Sequence, residues 1–219
     1  MQSITTPIRL YLSMPVLVSV IIAFTLLVPY PGIALSDDVP KVVQEVLIKN
    51  PVPVRPFELV DQEKKAFNID RLKGAWTLMF FGYTHCPDVC PTTLTELDNA
   101  ASRLNKFTSG KNKLQYVFVS IDPDRDTPEL LGDYVSYFGA KFIAVTGKHE
   151  QLKQLANPLG IHYKIGVGFN KEYIVEHSSA MLLIDPEGRY YARFPAPHYA
   201  EVIVAGFKAL RKYYEENNK

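Results

Sequence analysis

Trp76-Thr77-Leu78-Met79-Phe80-Phe81-Gly82-Tyr83-Thr84-His85-Cys86-Pro87-Asp88-Val89-Cys90-Pro91 is the stretch on which the fold of this chain turns. Its first six residues form an unbroken apolar run, rich in aromatics and bounded by Gly74 and Gly82. The run is too short for a helix of its own, so it reads as a strand buried on both faces. Beyond Pro91, the residues Leu94, Leu97, Ala101, Leu104 and Phe107 recur at helical spacing. The chain therefore passes from a buried strand through a stiff turn into an amphipathic helix. Cys86 lies in the turn and Cys90 at the mouth of the helix.

Working outward, the same alternation continues downstream. Residues 116–121 read as a second buried strand. Thr127 and Pro128 then open a helix, as an N-cap followed by proline at the first position, with Leu131, Tyr134, Val135 and Phe138 inward. A short strand at 142–145 and a helix from about Lys148 to Ala156 follow. Residues 181–184 and 190–194 read as two strands joined by Asp185-Pro186-Glu187-Gly188, a strong turn sequence. A last helix carries Ile203, Phe207, Leu210 and Tyr214. Upstream, Phe57-Glu58-Leu59-Val60 alternates like a strand. Strand–helix alternation, then a hairpin, then a helix implies an α/β, thioredoxin-like fold, with a mixed central sheet flanked by helices, over residues 56–219.

The first forty residues differ in composition from the rest. From Leu10 to Val28 the chain is almost wholly apolar, with Arg9 before it and Pro29, Pro31 and Asp37-Asp38 after it. Such a run approaches the ~20 residues needed to cross a bilayer, and its leading positive charge keeps the amino terminus in the cytoplasm. Residues 1–36 are read as an N-terminal transmembrane anchor. The alternative is a cleaved signal segment, for which Ala34-Leu35-Ser36 offers small residues. No Arg- and Ser-rich amphipathic stretch precedes the run, so a mitochondrial presequence is the weaker reading. The expected setting is the bacterial inner membrane, with the domain in the periplasm. Residues 37–55, with Pro40, Pro51 and Pro53, read as a linker.

Net charge is +1, and basic residues are interleaved with acids, as in Asp61-Gln62-Glu63-Lys64-Lys65. A nucleic-acid partner is not expected, because phosphate binding needs a clustered excess of Lys and Arg. Only two cysteines occur. A disulfide between them would close a very short loop and contribute about 2 kcal/mol, so the pair is read as chemical rather than structural. Unpaired backbone N–H groups and the positive end of the helix dipole favour a thiolate in this turn, and Pro87 and Pro91 stiffen it. Two close thiolates are a soft donor set suited to Cu(I) or Zn(II), and they are also a dithiol that can close to a disulfide.

Residues 82–94, Gly82-Tyr83-Thr84-His85-Cys86-Pro87-Asp88-Val89-Cys90-Pro91-Thr92-Thr93-Leu94, closely resemble the signature of the Sco/SenC family. Val119-Ser120-Ile121-Asp122-Pro123-Asp124-Arg125-Asp126-Thr127-Pro128 resembles a second segment of that family. Glu176-His177-Ser178-Ser179, running into Asp185-Pro186-Glu187-Gly188, resembles a third. These are copper-binding proteins that assist cytochrome c oxidase assembly. The resemblance implies a metallochaperone that binds copper through Cys86, Cys90 and His177. It would serve the CuA centre in oxidase subunit II, or exchange copper with a periplasmic donor or acceptor. The same Cys86 and Cys90 support an alternative, a thiol-disulfide oxidoreductase that reduces the cysteines of the copper-accepting target. Against a general oxidoreductase stand the C-x3-C spacing and the lack of a proline before the strand at 181–184.

Four other histidines compete with His177. His85 adjoins Cys86, and immediate neighbours on extended backbone point in opposing directions, so it is read as lining the rim. His149, between Lys148 and Glu150, reads as surface, and His162 and His198 carry no pattern of their own. Asp122, Asp124 and Asp126 alternate as in a calcium loop, but Thr127 stands where glycine is needed and Pro123 and Pro128 intrude. Calcium is excluded, leaving helix capping or attraction of a cation as roles for these carboxylates.

Overall fold

A computed structural model describes residues 41–139, 142–167 and 173–218. The expected membrane anchor lies outside the described residues, and among those described no helix is long and apolar enough to cross a membrane. The elements run α1 (Lys41–Val46), β1 (Leu47–Pro53), β2 (Glu58–Asp61), β3 (Ala66–Asn68), β4 (Ala75–Gly82) and α2 (Val89–Leu104). They continue with β5 (Lys113–Ser120), α3 (Pro128–Ser136), β6 (Phe142–Thr146), α4 (His149–Ala156), β7 (Tyr163–Val167) and β8 (Tyr173–His177). Last come β9 (Met181–Ile184), β10 (Arg189–Phe194) and α5 (Ala200–Asn217).

Eight strands form one sheet in the order β1-β10-β9-β4-β5-β6-β2-β3. The pairs β4–β5 and β5–β6 are parallel, and the pairs on either side are antiparallel. The parallel pairs follow from chemistry already legible in the chain: each strand is followed by an amphipathic helix that carries the chain back across the sheet. Every residue of β4 is buried. Its side chains alternate between two cores. Trp76, Leu78 and Phe80 face a layer that includes α2, α3 and α5, whereas Met79 and Phe81 face α4 and the β2–β3 hairpin. The mixed, thioredoxin-like sheet flanked by helices is therefore the observed architecture. Trp76 anchors α5 to the sheet through edge-on contacts with Phe207 at 5.9 Å and Tyr214 at 4.9 Å between ring centroids.

Two segments differ from the sequence reading. From Lys41 on, the stretch read as a linker folds onto the domain. Val43 is fully buried, and β1 pairs with β10 through Val52↔Tyr190 and Pro53↔Arg189. Its prolines are compatible with a strand because β1 is an edge, where a missing N–H breaks no ladder. The second is a hairpin, β7–β8, that forms a small sheet of its own in a region where no strand is expected from the sequence. His177 accordingly ends a strand, opposite Tyr163.

Candidate metal centre

The parallel strands β4 and β5 end side by side at Gly82↔Ser120, and their following loops share that edge of the sheet. Such carboxyl ends are where α/β sheets place ligands. After Gly82 the chain turns once, with the Cys86 N–H donating to the Tyr83 carbonyl at 3.3 Å, and α2 begins at Val89. Cys90, second in that helix, is fully buried, and Cys86 is half-buried above it. His85, Pro87, Asp88 and Val89 form an exposed rim around Cys86.

Gly82 makes the seat for Cys90. A Cβ at this position would lie 2.8 Å from the Cys90 Sγ and 2.8 Å from Cε2 of Phe118, closer than real contacts allow. The sulfur thus sits against the end of β4 with Phe118 on its flank. The hydrogen bond with Cys86 and then burial push the Cys90 thiol up, despite its place at the helix N-terminus. The helix dipole expected to favour a thiolate is outweighed there in the reduced protein. Neither cysteine forms a disulfide in this structure.

The loop after β5 buttresses the turn. Asp126, fully buried, accepts from the Thr84 N–H at 2.9 Å, the Thr84 hydroxyl at 2.6 Å and the Ser120 hydroxyl at 2.6 Å. Because the Thr84 proton is given to Asp126, the 3.0 Å contact between Thr84 Oγ1 and His85 Nδ1 has the imidazole as donor. In the neutral ring this leaves Nε2 of His85 as the bare nitrogen on the exposed rim. Asp122 is also buried and pairs with Arg125, whose guanidinium lies 5.7 Å from the Tyr83 ring centroid. Asp124 alone is exposed, 3.3 Å from His149 Nε2. The helix cap comes instead from Thr127, which accepts from the Leu130 N–H at 3.3 Å. The Asp122 carboxylate is thus engaged within its loop, and that of Asp126 with the cysteine turn and the end of β5.

β9 runs antiparallel to β4 with Phe80↔Met181, so the backbone approaching Met181 lies at the cysteine end of the sheet. His177 ends β8 just before that approach, and the Ser178 N–H donates to the His162 carbonyl at 3.0 Å. His177 precedes Met181 by four positions, and its side chain lies outside the described set. Among the described residues, no three His, Cys, Asp or Glu side chains converge as a metal-holding group.

Sequence reasoning missed several supporting residues. His198 is buried, with Nε2 donating to the Phe194 carbonyl at 3.2 Å. That assigns the neutral tautomer, leaving Nδ1 to accept from the Thr93 hydroxyl at 3.2 Å, one turn along α2 from Cys90. Gly82, Asp126 and Phe118 were likewise not singled out for these roles. Only Gly82 carried a signal, a glycine ending a buried strand next to the cysteine turn.

The sequence pattern of the SCO1/SenC family matches residues 48–212. A SCO2-like protein of Rickettsia prowazekii is 40% identical over 157 residues, covering 70% of this chain and 74% of its own length. The copper-bound structure of ScoI from Arabidopsis thaliana superposes with a TM-score of 0.66 at 34% identity, over 73% of this chain and 98% of that one. Copper-bound ScoI from Bradyrhizobium japonicum gives 0.64 at 33% identity, over 74% and 99%. With the family pattern matched over most of the chain and relatives of this similarity, this chain belongs to the SCO1/SenC family.

Proposed function

We propose that this protein is a copper metallochaperone that binds Cu(I) or Cu(II) through Cys86, Cys90 and His177 and assists maturation of the CuA centre of cytochrome c oxidase. The observation that carries the reading is the cysteine pair itself. One sulfur is seated against Gly82 and Phe118, and the other is half-exposed beside it at the carboxyl end of β4. A soft, partly open donor set suits a cargo that is taken up and passed on by stepwise ligand exchange. Copper relatives at 33–34% identity support the same assignment. Both thiols must lose protons on loading, and the metal supplies the charge that compensates their burial. The acceptor is oxidase subunit II or another periplasmic copper protein, and the domain is held at the bacterial inner membrane by residues 1–36.

A second reading, reduction of the target's cysteines, is favoured by the unequal exposure of the two sulfurs. The Cys86 thiolate would attack a target disulfide to form a mixed disulfide and release one target thiolate. Cys90 would then give up its proton and attack Cys86 Sγ, releasing the second target thiolate and leaving a Cys86–Cys90 disulfide that an external dithiol must reduce. Copper titration of the purified chain beside a disulfide-reduction assay separates the two. Cys86→Ser and Cys90→Ser should abolish both activities, whereas His177→Ala should abolish tight copper binding and leave dithiol exchange intact. Unchanged copper affinity in His177→Ala would refute the ligand set.

A further inference from the structure

An apolar pocket that plays no part in holding copper lies past the end of β10. β10 and β4 both run antiparallel to β9, so they are parallel to one another, and Phe194 shares a row with Met181 and Phe80. The chain leaving Phe194 therefore emerges at the end of the sheet where β4 delivers the cysteine turn. There Val46, Phe194, Pro195, Pro197, Tyr199 and Val202 line a cavity of about 240 Å³. His198 forms its wall toward α2, with its ring 6.0 Å from that of Phe80 and its hydrogen bond to the Thr93 hydroxyl at 3.2 Å. Glu96 accepts from the Ala200 N–H at 2.7 Å. Thr93 and Glu96 thus mark the face of α2 turned to the pocket, and Val89, four residues before Thr93, lies on that face. Val89 opens α2 beside the cysteine rim, only about 6 Å along the helix from Thr93. Six large apolar side chains are exposed among the described residues, and three of them, Val89, Tyr199 and Val202, lie along this strip. Exposed apolar surface gathered in this way marks an interaction face.

We propose that this strip is the docking face for the protein that receives the copper, and that the partner seats one bulky apolar side chain, bordered by Lys or Arg, in the pocket beside Val202. The inference rests on Cys86 and Cys90 as copper ligands. Copper can leave only where a partner's ligand reaches half-exposed Cys86, so the partner must cover the rim of His85, Pro87, Asp88 and Val89. A transient contact buries roughly 400–600 Å² on each partner, about three times what four rim residues supply. The footprint must therefore extend beyond the rim, and the strip from Val89 to the pocket is apolar surface that continues it. A cavity of this volume takes one large aliphatic or aromatic side chain, the kind of central anchor on which such contacts depend. Glu45 in the lining and Asp88 on the rim are acidic, whereas Arg103 is paired with Glu201 at 3.0 Å. The charge bordering the strip is thus negative, and its complement is a basic border on the partner.

The test follows Cu(I) from the loaded full-length chain to two acceptors: the metal-free, reduced copper-accepting domain of oxidase subunit II, and the small chelator bicinchoninate. Val202→Asp places a charge at the pocket, and the fold accommodates it because Val202 is exposed and a carboxylate in the first turn of α5 favours the helix. Its second-order rate constant for transfer to subunit II should fall about tenfold, as for loss of a central anchor. Transfer to the chelator and Cu(I) affinity should stay as in the wild type. Glu45→Lys should slow transfer to subunit II about threefold and weaken its dependence on salt. Tyr137→Asp, at an exposed residue past the far end of α3, should alter neither transfer. Unchanged transfer to subunit II in Val202→Asp would overturn the proposal, as would an equal slowing toward the chelator. A wild-type dimer that Val202→Asp dissociates without slowing transfer would assign the face to a second copy instead. Wild-type protein whose copper reaches the chelator but not subunit II would refute that acceptor, and this inference with it.

Discussion

Gly82→Ala is the substitution whose outcome the structure specifies most fully. The added methyl would stand 2.8 Å from Cys90 Sγ, 2.8 Å from Phe118 Cε2 and 3.4 Å from Phe118 Cζ. Both neighbours are fully buried, so neither can swing into solvent. Overpacking of this kind costs about 1–3 kcal/mol. Alanine recovers roughly 0.5–1 kcal/mol of the backbone entropy that glycine loses. The net loss should be about 1–2 kcal/mol, or about 2–8 °C in melting temperature for a domain of this size. Circular dichroism melts of the reduced, metal-free protein measure it. Removing the sulfur relieves one of the two clashes, so in a Cys90→Ala background the cost of Gly82→Ala should shrink by about 0.5–1 kcal/mol. Gly132→Ala is the control of opposite sign. It lies within α3 with its nearest neighbour, Gln62 Cβ, at 3.5 Å, and should stabilise. A Gly82→Ala protein that melts no lower than wild type, or costs as much without the Cys90 sulfur as with it, would refute this account of the seat.

Asp126→Asn should cost about 1–2 kcal/mol, because an amide oxygen can keep the Thr84 N–H and Ser120 bonds, and Asp126→Ala about 3–5, as urea unfolding would show. Equal costs would mean that the carboxylate is not what holds the Thr84 turn. Burial holds the His198 pKa below the ordinary imidazole value, with the Phe194 carbonyl bond opposing it. Its contribution to stability is therefore present above about pH 6.5 and lost as pH falls through the folded-state value. Melting temperatures between pH 7 and 5 should fall more steeply in the wild type than in His198→Gln, and parallel slopes would contradict this. Alkylation of the reduced protein should label half-exposed Cys86 well before buried Cys90, read by peptide mass spectrometry; the reverse order would overturn the assignment of attacking and resolving sulfurs.

The strands and helices around the cysteine turn were legible because each is written locally. An apolar run ends at Gly82, a proline follows each cysteine, and Thr127-Pro128 caps a helix. What was not legible depends on distance or on edges. Thr84 meets Asp126 across 42 residues and Thr93 meets His198 across 105, and no spacing rule links such pairs. Three aspartates in alternation invited a cation, yet the fold gives Asp122 to Arg125 and Asp126 to Thr84 and Ser120. β1 was hidden by prolines that an edge strand tolerates, and β7–β8 by sequences too short and mixed to show a period. His177 was singled out by family resemblance alone. The structure adds that it ends β8, opposite Tyr163.

X-ray absorption at the copper edge of the loaded full-length protein tests the central claim most directly, since it reports which elements ligate the metal. The account predicts a shell of two sulfurs and one imidazole nitrogen. That nitrogen should disappear in His177→Ala and persist in His85→Ala. A nitrogen retained in His177→Ala, or lost in His85→Ala, would contradict it.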